Sequence, residues 1–467
     1  MFSQEELEKA IIHQNPWLMS EKVPGKFFAG FKRQVFFEFL PKLKNSFITA
    51  IIGPRRSGKT NLMFQAIDYL IKQGKNPKNI FFFSFDNPSF LKEEKIIPKV
   101  IQTIQTLASK GKLYLFFDEI QYVKDWSSWL KIPYDQKENI KFTVSGSSSF
   151  ALYKDTSESL VGRIDFLRIN NFSFKDFAEY YKADLNLSID FNIFDLEKTY
   201  KALEKNKIKL NLNQNKFIKL LMSYILWGGN PSQFKFKNLN QWQIWLKEEY
   251  IGLTLYRDIL KLFEVRDTKA LEELLYFLAS ISGQRFSFSK ITHNLNIPRQ
   301  ETIKQYLGYL ESSTLIHPVY FFSRAINTQL RKEKKIYFND HALILALLDR
   351  QNDILTDSSA LGLIVEALLG SHLWNKFGSV FSKNIFYWKN KQGYEVDFVI
   401  KKGLKFLPIE VKYKSNINKQ DLKGLFLFLA KTKSDQAVVV TKNRFEYSKQ
   451  DNFKLLYIPL WIFLLLC

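Results

Sequence analysis

Ser46-Phe-Ile-Thr-Ala-Ile-Ile52 runs directly into Gly53-Pro54-Arg55-Arg56-Ser57-Gly58-Lys59-Thr60, and the helical stretch Asn61–Gln73 follows. The first run is apolar and β-rich, so it predicts a buried strand. The second satisfies G-x-x-x-x-G-K-[ST], whose glycines permit a tight loop with backbone N–H groups turned inward around phosphate oxygens. In that pattern Lys59 neutralises the β- and γ-phosphates and Thr60 places its hydroxyl on Mg²⁺. The expected ligands are ATP and Mg²⁺, with Gly53 to Thr60 as the cradle.

Working outward, Asn79–Phe85, Leu113–Phe117 and Ile140–Val144 are further apolar runs, and Leu91–Ser109 between them reads as helix. Continuous apolar strands separated by helices predict a parallel sheet covered on both faces, with ligands at the carboxyl ends of its strands. The motifs fall there. Leu113–Phe117 ends in Asp118-Glu119. Asp118 is the expected Mg²⁺-side carboxylate, and Glu119 suits a general base that polarises the attacking water. Ile140–Val144 runs into Ser145-Gly-Ser-Ser-Ser149. Ser145 is a candidate contact to the γ-phosphate or lytic water, and a helix N-cap explains it almost as well. Arg163 is a candidate cation for transition-state charge, in cis or in trans, or else a salt-bridged surface arginine.

Composition bounds the rest. The 467 residues suggest several domains, and 46% hydrophobic with 24% charged residues is the balance of a folded protein. Sixty-eight Lys+Arg against forty-six Asp+Glu leave +22, which points to a polyanionic partner or to a Lys-rich genome. The single cysteine, Cys467, excludes an internal disulfide and a Cys-based zinc site and fits a cytoplasmic location. The acidic N-terminal stretch is unlike a signal peptide. Leu455–Cys467 is apolar but shorter than a bilayer span and contains Pro459, so a buried terminal element is expected and no stable membrane insertion.

Farther along, Phe172–Leu253 reads as helical connections. Thr268–Ser282, Ser287–Leu295 and Pro298–Ser312 form a helix followed by a helix-turn-helix pattern, and Leu315–Phe322 supplies a wing-like strand. A second helix of this kind enters the major groove of DNA, and here it offers Arg299, Gln300, Lys304 and Gln305. In the last quarter Glu395-Val-Asp397-Phe-Val-Ile400 alternates strictly, and a turn at Lys402-Gly403 returns the chain to Ile409-Glu410-Val411-Lys412-Tyr413. The hairpin puts Asp397 and Glu410 on neighbouring strands within reach of one divalent ion, Mg²⁺ or Mn²⁺. Lys412 can orient a nucleophilic water, and Glu366, on an expected helix, can add a third carboxylate. Residues 381–467 hold sixteen Lys+Arg against seven Asp+Glu, +9 of the total, as suits a surface that contacts a phosphate backbone.

Together GPRRSGKT at 53–60, DEIQ at 118–121 with Trp126 beyond, VSGSSS at 144–149, SESLVGR at 157–163, Gly228-Gly229-Asn-Pro231 and Tyr256–Ile259 resemble one prokaryotic group across nearly the whole chain. It comprises AAA+-superfamily ATPases, related to archaeal and STAND-type ATPases, with a C-terminal nuclease-like domain. The Asp397…Glu410-x-Lys412 pattern likewise resembles the PD-(D/E)XK core. The sequence departs from the group at Glu366, followed by Ala rather than Asn, and at Asp340-His-Ala, where the group tends to have glycine. The resemblance and the residues imply an α/β protein: a P-loop NTPase parallel sheet, then a helical lid, a winged helix and a C-terminal restriction-endonuclease-like domain. The expected divisions are an N-terminal helical segment 1–45, the ATPase core 46–171, the lid 172–253, the winged helix 254–325 and the nuclease-like domain 326–467. The expected activity is Mg²⁺-dependent ATP hydrolysis coupled to a DNA-binding, DNA-cleaving C-terminal region, in a chain that can self-associate. The alternative is a slow nucleotide switch that recruits a protein partner.

Overall fold

The computed structural model describes residues 3–91, 93, 95–146, 159–185, 192–260, 263–295, 297, 299–378, 383–450 and 452–467. Ser147 to Ser149, Ser157 and Glu158 of the motifs above, and Asn296 and Pro298 of the helix-turn-helix turn, lie outside the described residues. The chain divides into two compact units, Met1–Asn170 with Ser312–Thr314, and Asn171–Glu311 with Leu315–Cys467.

In the first unit β1 (Ile48–Ile52), β2 (Ile80–Ser84), β3 (Leu113–Asp118), β4 (Ile140–Gly146) and β5 (Ile164–Arg168) form one sheet, ordered β2-β3-β4-β1-β5 and parallel throughout. Alternate strand residues feed opposite faces. Ile48, Ala50, Ile52, Phe81, Phe83, Leu115 and Phe117 share a core with residues of the helices Gln4–Gln14, Ile96–Leu107 and Trp126–Asp135. Ile51, Ile80, Phe82 and Phe116 pack on the other side with residues of Lys59–Lys72 and Gln34–Lys42. The helix expected from Leu91 begins instead at Ile96, which leaves Pro98 in the first turn, where a missing N–H costs no intrahelical bond. Strand β5, which has no continuous apolar run, is an edge strand and only its Leu167 is fully buried.

The other edge, β2, is closed by side chains from the N-terminal segment. Asn15, wholly buried, donates from Nδ2 to Phe82 O at 2.8 Å and accepts from Phe82 N–H at 2.6 Å, as a neighbouring strand would. Trp17 Nε1 donates to Ile80 O at 2.8 Å, and Gln14 Oε1 accepts from Ser84 N–H at 2.9 Å. An open edge with unpaired backbone groups invites pairing with another chain, and these three side chains remove it.

In the second unit nine strands form one mixed sheet, ordered β13-β14-β12-β11-β10-β9-β7-β8-β6. They are β6 (Arg285–Phe286), β7 (Ile316–Phe321), β8 (Lys334–Phe338), β9 (Ile385–Lys389), β10 (Glu395–Lys402), β11 (Lys405–Lys412), β12 (Gln436–Thr441), β13 (Glu446–Gln450) and β14 (Phe453–Pro459). Helices Thr268–Ser280, Phe288–Leu295 and Gln300–Ser312 precede β7. Strand β7 pairs antiparallel with β8 and parallel with β9, so the expected division between residues 325 and 326 falls inside one continuous sheet. The apolar C-terminal run completes β14 and the helix Leu460–Leu466, whose Leu460 to Leu464 are buried. Among the described residues no helix is long and apolar enough to cross a membrane.

Replacing Asn15 with Ala strands one buried N–H and one buried C=O of β2. The expected loss is about 2–4 kcal/mol of stability for this unit, measured by urea denaturation, with more aggregation through the exposed edge.

Candidate nucleotide site and hairpin carboxylate cluster

The loop after β1 has no spare room. A Cβ on Gly53 would overlap the carbonyl oxygen of Ile169, just past β5, and Gly58 has φ +100°, a conformation open to glycine at little cost. Pro54 and Ser57 are buried, Arg55 is half-buried and Arg56 is exposed with φ +59°. Lys59 opens the helix Lys59–Lys72 and is buried. Its ammonium donates to the carbonyls of Gly53 at 3.1 Å and Pro54 at 3.0 Å, which holds the charge inside its own loop. The Ser57 hydroxyl is buried without a hydrogen-bond partner among the described residues, an orphaned donor in the loop.

Strand order decides what faces this loop. Between β1, which carries the loop, and β3, which carries the acids, lies β4, so Asp118 must reach past one strand end. Thr60 Oγ1 donates to Asp118 Oδ2 at 2.6 Å. Ser145, wholly buried at the end of β4, donates its hydroxyl to Asp118 Oδ1, and the Glu119 N–H reaches the same oxygen at 3.2 Å. Glu119 has φ +53°, and Gln121 Nε2 donates to its Oε2 at 2.5 Å. Lys59, Thr60, Asp118, Glu119 and Ser145 therefore converge at one set of strand ends. Arg163 instead grips Asp135 through two bonds of 2.6 and 3.1 Å, and this hydrogen bonding holds the Asp135 carboxyl below its usual range. Gln121 stood in the sequence beside the acids, yet its hold on Glu119 depends on a turn that no periodicity announces.

In the second unit Asp397 and Glu410 do face each other across β10 and β11, one step beyond the paired residues Phe398 and Ile409. Asp397 Oδ2 accepts the N–H of Val411 at 2.8 Å. Lys412 Nζ lies 2.5 Å from Glu410 Oε1, while Glu410 Oε2 is buried with no hydrogen-bond partner among the described residues. Burial, reinforced by Asp397, pushes the Glu410 carboxyl up to about 8. Glu366, on the helix Ser358–Phe377, is engaged elsewhere: its Oε1 accepts from Tyr337 Oη at 2.6 Å and from Lys335 Nζ at 3.1 Å. Lys335, on β8 and almost wholly buried, also meets Glu395 at 2.6 Å. Among the described residues no three His, Cys, Asp or Glu side chains stand together as a metal-holding group. Lys335 and Tyr337 carried no signal in the sequence, since β8 reaches this sheet through its pairing with β7.

The Gly228-Gly229 pair closes a buried polar knot. Gly228 has φ +78° and its place for a Cβ is filled by Asp340 and Ala342. Asp340 Oδ2 accepts from Gly229 N–H at 2.9 Å and from Asn171 Nδ2 at 3.2 Å. His372 accepts the Phe174 N–H at Nε2, 3.0 Å, and donates from Nδ1 to Leu368 O, 3.0 Å.

Residues 45–178 match the AAA domain family, residues 218–354 a domain of unknown function (DUF8612) and residues 361–461 another (DUF4143). The chain carries an AAA-type ATPase domain. The uncharacterized protein MJ1544 of Methanocaldococcus jannaschii is 30% identical over 369 residues, 77% of this chain and 73% of that protein. The chain belongs to the same family as MJ1544. An uncharacterized protein of Haemophilus influenzae is 24% identical over 92% of this chain and 98% of its own length. Among solved structures, AMPPCP-bound DnaA from Aquifex aeolicus aligns at TM-score 0.24 and 17% identity, over 64% of this chain and 92% of that one.

Burial holds the His372 imidazole neutral, down to about 4 from 6.5. The unfolded chain therefore binds a proton between pH 6.5 and about 4 that the folded chain refuses, so stability is complete above 6.5 and falls as pH drops through this window. The expected slope is about 1.4 kcal/mol per pH unit, and His372→Gln flattens it in denaturant titrations at stepped pH.

Proposed function

We propose that the first unit binds ATP with Mg²⁺ and hydrolyses it, and that the nucleotide state governs a second unit that contacts nucleic acid. The hydrogen bond from Thr60 to Asp118 carries the first part, because it joins the hydroxyl and the carboxylate that would hold Mg²⁺. A bound Mg²⁺ neutralises developing charge on the phosphate oxygens. The chain's own groups do the rest. Lys59 exchanges two neutral carbonyl acceptors for anionic phosphate oxygens, which adds attraction between opposite charges to each hydrogen bond. The Ser57 hydroxyl, unpartnered in the cradle, is a further donor toward phosphate. Ser145 and the Glu119 N–H fix the Asp118 carboxylate. Gln121 holds Glu119, whose carboxylate takes the proton of the attacking water. Arg163 acts on phosphate only once its Asp135 pair opens.

The exposed Arg299, just before the helix, and Gln300, Lys304 and Gln305 on its outer side support nucleic-acid contact; Ile303, Tyr306, Leu307 and Leu310 of the same helix are buried. The hairpin pair Asp397 and Glu410 with Lys412 supports Mg²⁺- or Mn²⁺-dependent cleavage, and the orphaned Glu410 oxygen suits a cation. The hold of Lys335 on Glu366 favours a second reading, a nucleotide switch whose nuclease-like sheet binds without cutting.

Lys59→Ala is expected to lower ATP hydrolysis by about 100-fold or more, measured as phosphate release. Glu119→Gln slows turnover by about 10²–10⁴-fold and leaves nucleotide affinity intact. Normal turnover in both variants would dispose of the site. DNA affinity is expected to fall steeply with salt, and Lys304→Ala to reduce the logarithmic slope by about one. Nicking that Asp397→Ala abolishes separates the cleaving from the non-cleaving reading.

A further inference from the structure

The buried charges of the second unit do not balance in the way a three-carboxylate metal site requires. Three acids, Glu366, Asp397 and Glu410, were expected to share one ion. Glu366 instead has one oxygen held by both Tyr337 at 2.6 Å and Lys335 at 3.1 Å. Lys335 is more buried than any of the three acids, and its second contact is Glu395 at 2.6 Å. Glu395 is tied further to Arg285 at 3.5 Å and Lys389 at 3.7 Å, so its charge is spent within the protein. The backbone seals the same corner: Gly283, at φ +77°, leaves only contact distance to Glu366 Oε1, 3.3 Å from where a Cβ would stand.

The other half of the cluster is short of positive charge. Lys412 serves one oxygen of Glu410, and the second oxygen, buried, has no hydrogen-bond partner among the described residues. A buried carboxylate oxygen left without donor or cation is costly, and Asp397 alongside increases the cost. One half of the cluster thus holds its own ammonium, and the other sets a single ammonium, Lys412, against the two carboxylates Asp397 and Glu410.

We infer that Lys335 is an internal cation that removes Glu366 from metal ligation, so that the cluster takes one divalent ion, on Asp397 and Glu410. This rests on the reading of the hairpin as a metal site and adds the ion count and the residue that sets it. Lys335 is a positioning residue: it acts through Glu366, and its positive charge also weakens the attraction of the neighbouring ion.

The test is Mn²⁺ binding to the nucleotide-free full-length chain, followed by electron paramagnetic resonance and calorimetry. The signal is the binding that Asp397→Asn abolishes. One Mn²⁺ per chain is expected, lost in Glu410→Gln and kept within about threefold in Glu366→Gln. Lys335→Met frees Glu366 and is expected to tighten Mn²⁺ about tenfold or to add a second ion. Lys335→Met with Glu366→Gln keeps the local charge balanced and returns the affinity to the wild-type value. A loss in Glu366→Gln as large as in Glu410→Gln overturns the inference, as does folded Lys335→Met without gain. Should Lys335→Met not fold, the balanced double variant decides: wild-type affinity supports the inference and a loss overturns it. Absence of any Mn²⁺ binding that depends on Asp397 is a different result, which removes the metal-site reading itself.

Discussion

A hydroxyl at the start of one helix and a carboxylate at the end of a strand two places away meet in the hydrogen bond between Thr60 and Asp118. Its geometry follows from the order β2-β3-β4-β1-β5, which inserts β4 between the strands that carry the two groups. The gap is filled by Ser145, the residue at the end of β4, whose hydroxyl takes the remaining oxygen of Asp118. A parallel sheet brings all of its loop-bearing ends to one side, so the glycine loop, Asp118 and Glu119 assemble there from segments far apart in sequence. Everything else in the first unit serves to keep those ends fixed. The two apolar faces hold the strands in register, and the side chains of Gln14, Asn15 and Trp17 close the edge that would otherwise seek another chain.

The second unit solves a different electrostatic problem. Its mixed sheet buries acids that water would prefer to solvate, and it compensates them locally rather than as a pool. Lys335 and Tyr337 come from β8, Glu366 from a helix, and Asp397, Glu410 and Lys412 from the hairpin. The compensation is complete around Glu366 and Glu395 and incomplete at Glu410. Such unevenness is costly if the site stays empty of charge, which makes the orphaned oxygen the informative atom. The knot at Gly228, Gly229 and Asp340 shows the contrasting case, where a buried carboxylate is fully supplied with N–H donors and no further partner is called for.

How much of this was legible beforehand differs between the two units. Gly53 to Thr60 and Asp118-Glu119 could be read directly, because a phosphate loop is a local string and a buried parallel strand is a continuous apolar run. Strand β5 was not legible, since an edge strand alternates with polar residues. Asn15 gave no sign either, because a side chain that imitates a strand looks like any loop asparagine. The hairpin was visible from alternation and its turn, so Asp397 opposite Glu410 could be placed. Glu366 could be placed on a helix, yet only the pairing of β8 with β7 brings Lys335 to it.

The amino-acid order alone therefore determined the loop, its acids, the parallel sheet and the hairpin pair, all features set by neighbours in the chain or by period-two alternation. Tertiary structure alone decided which groups share a charge: Ser145 on Asp118, Gln121 on Glu119, Asp135 on Arg163 and Lys335 on Glu366. The physical reason is that hydrogen bonds and ion pairs depend on distances of a few ångströms between atoms, and those distances are created by strand order and helix placement rather than by sequence spacing.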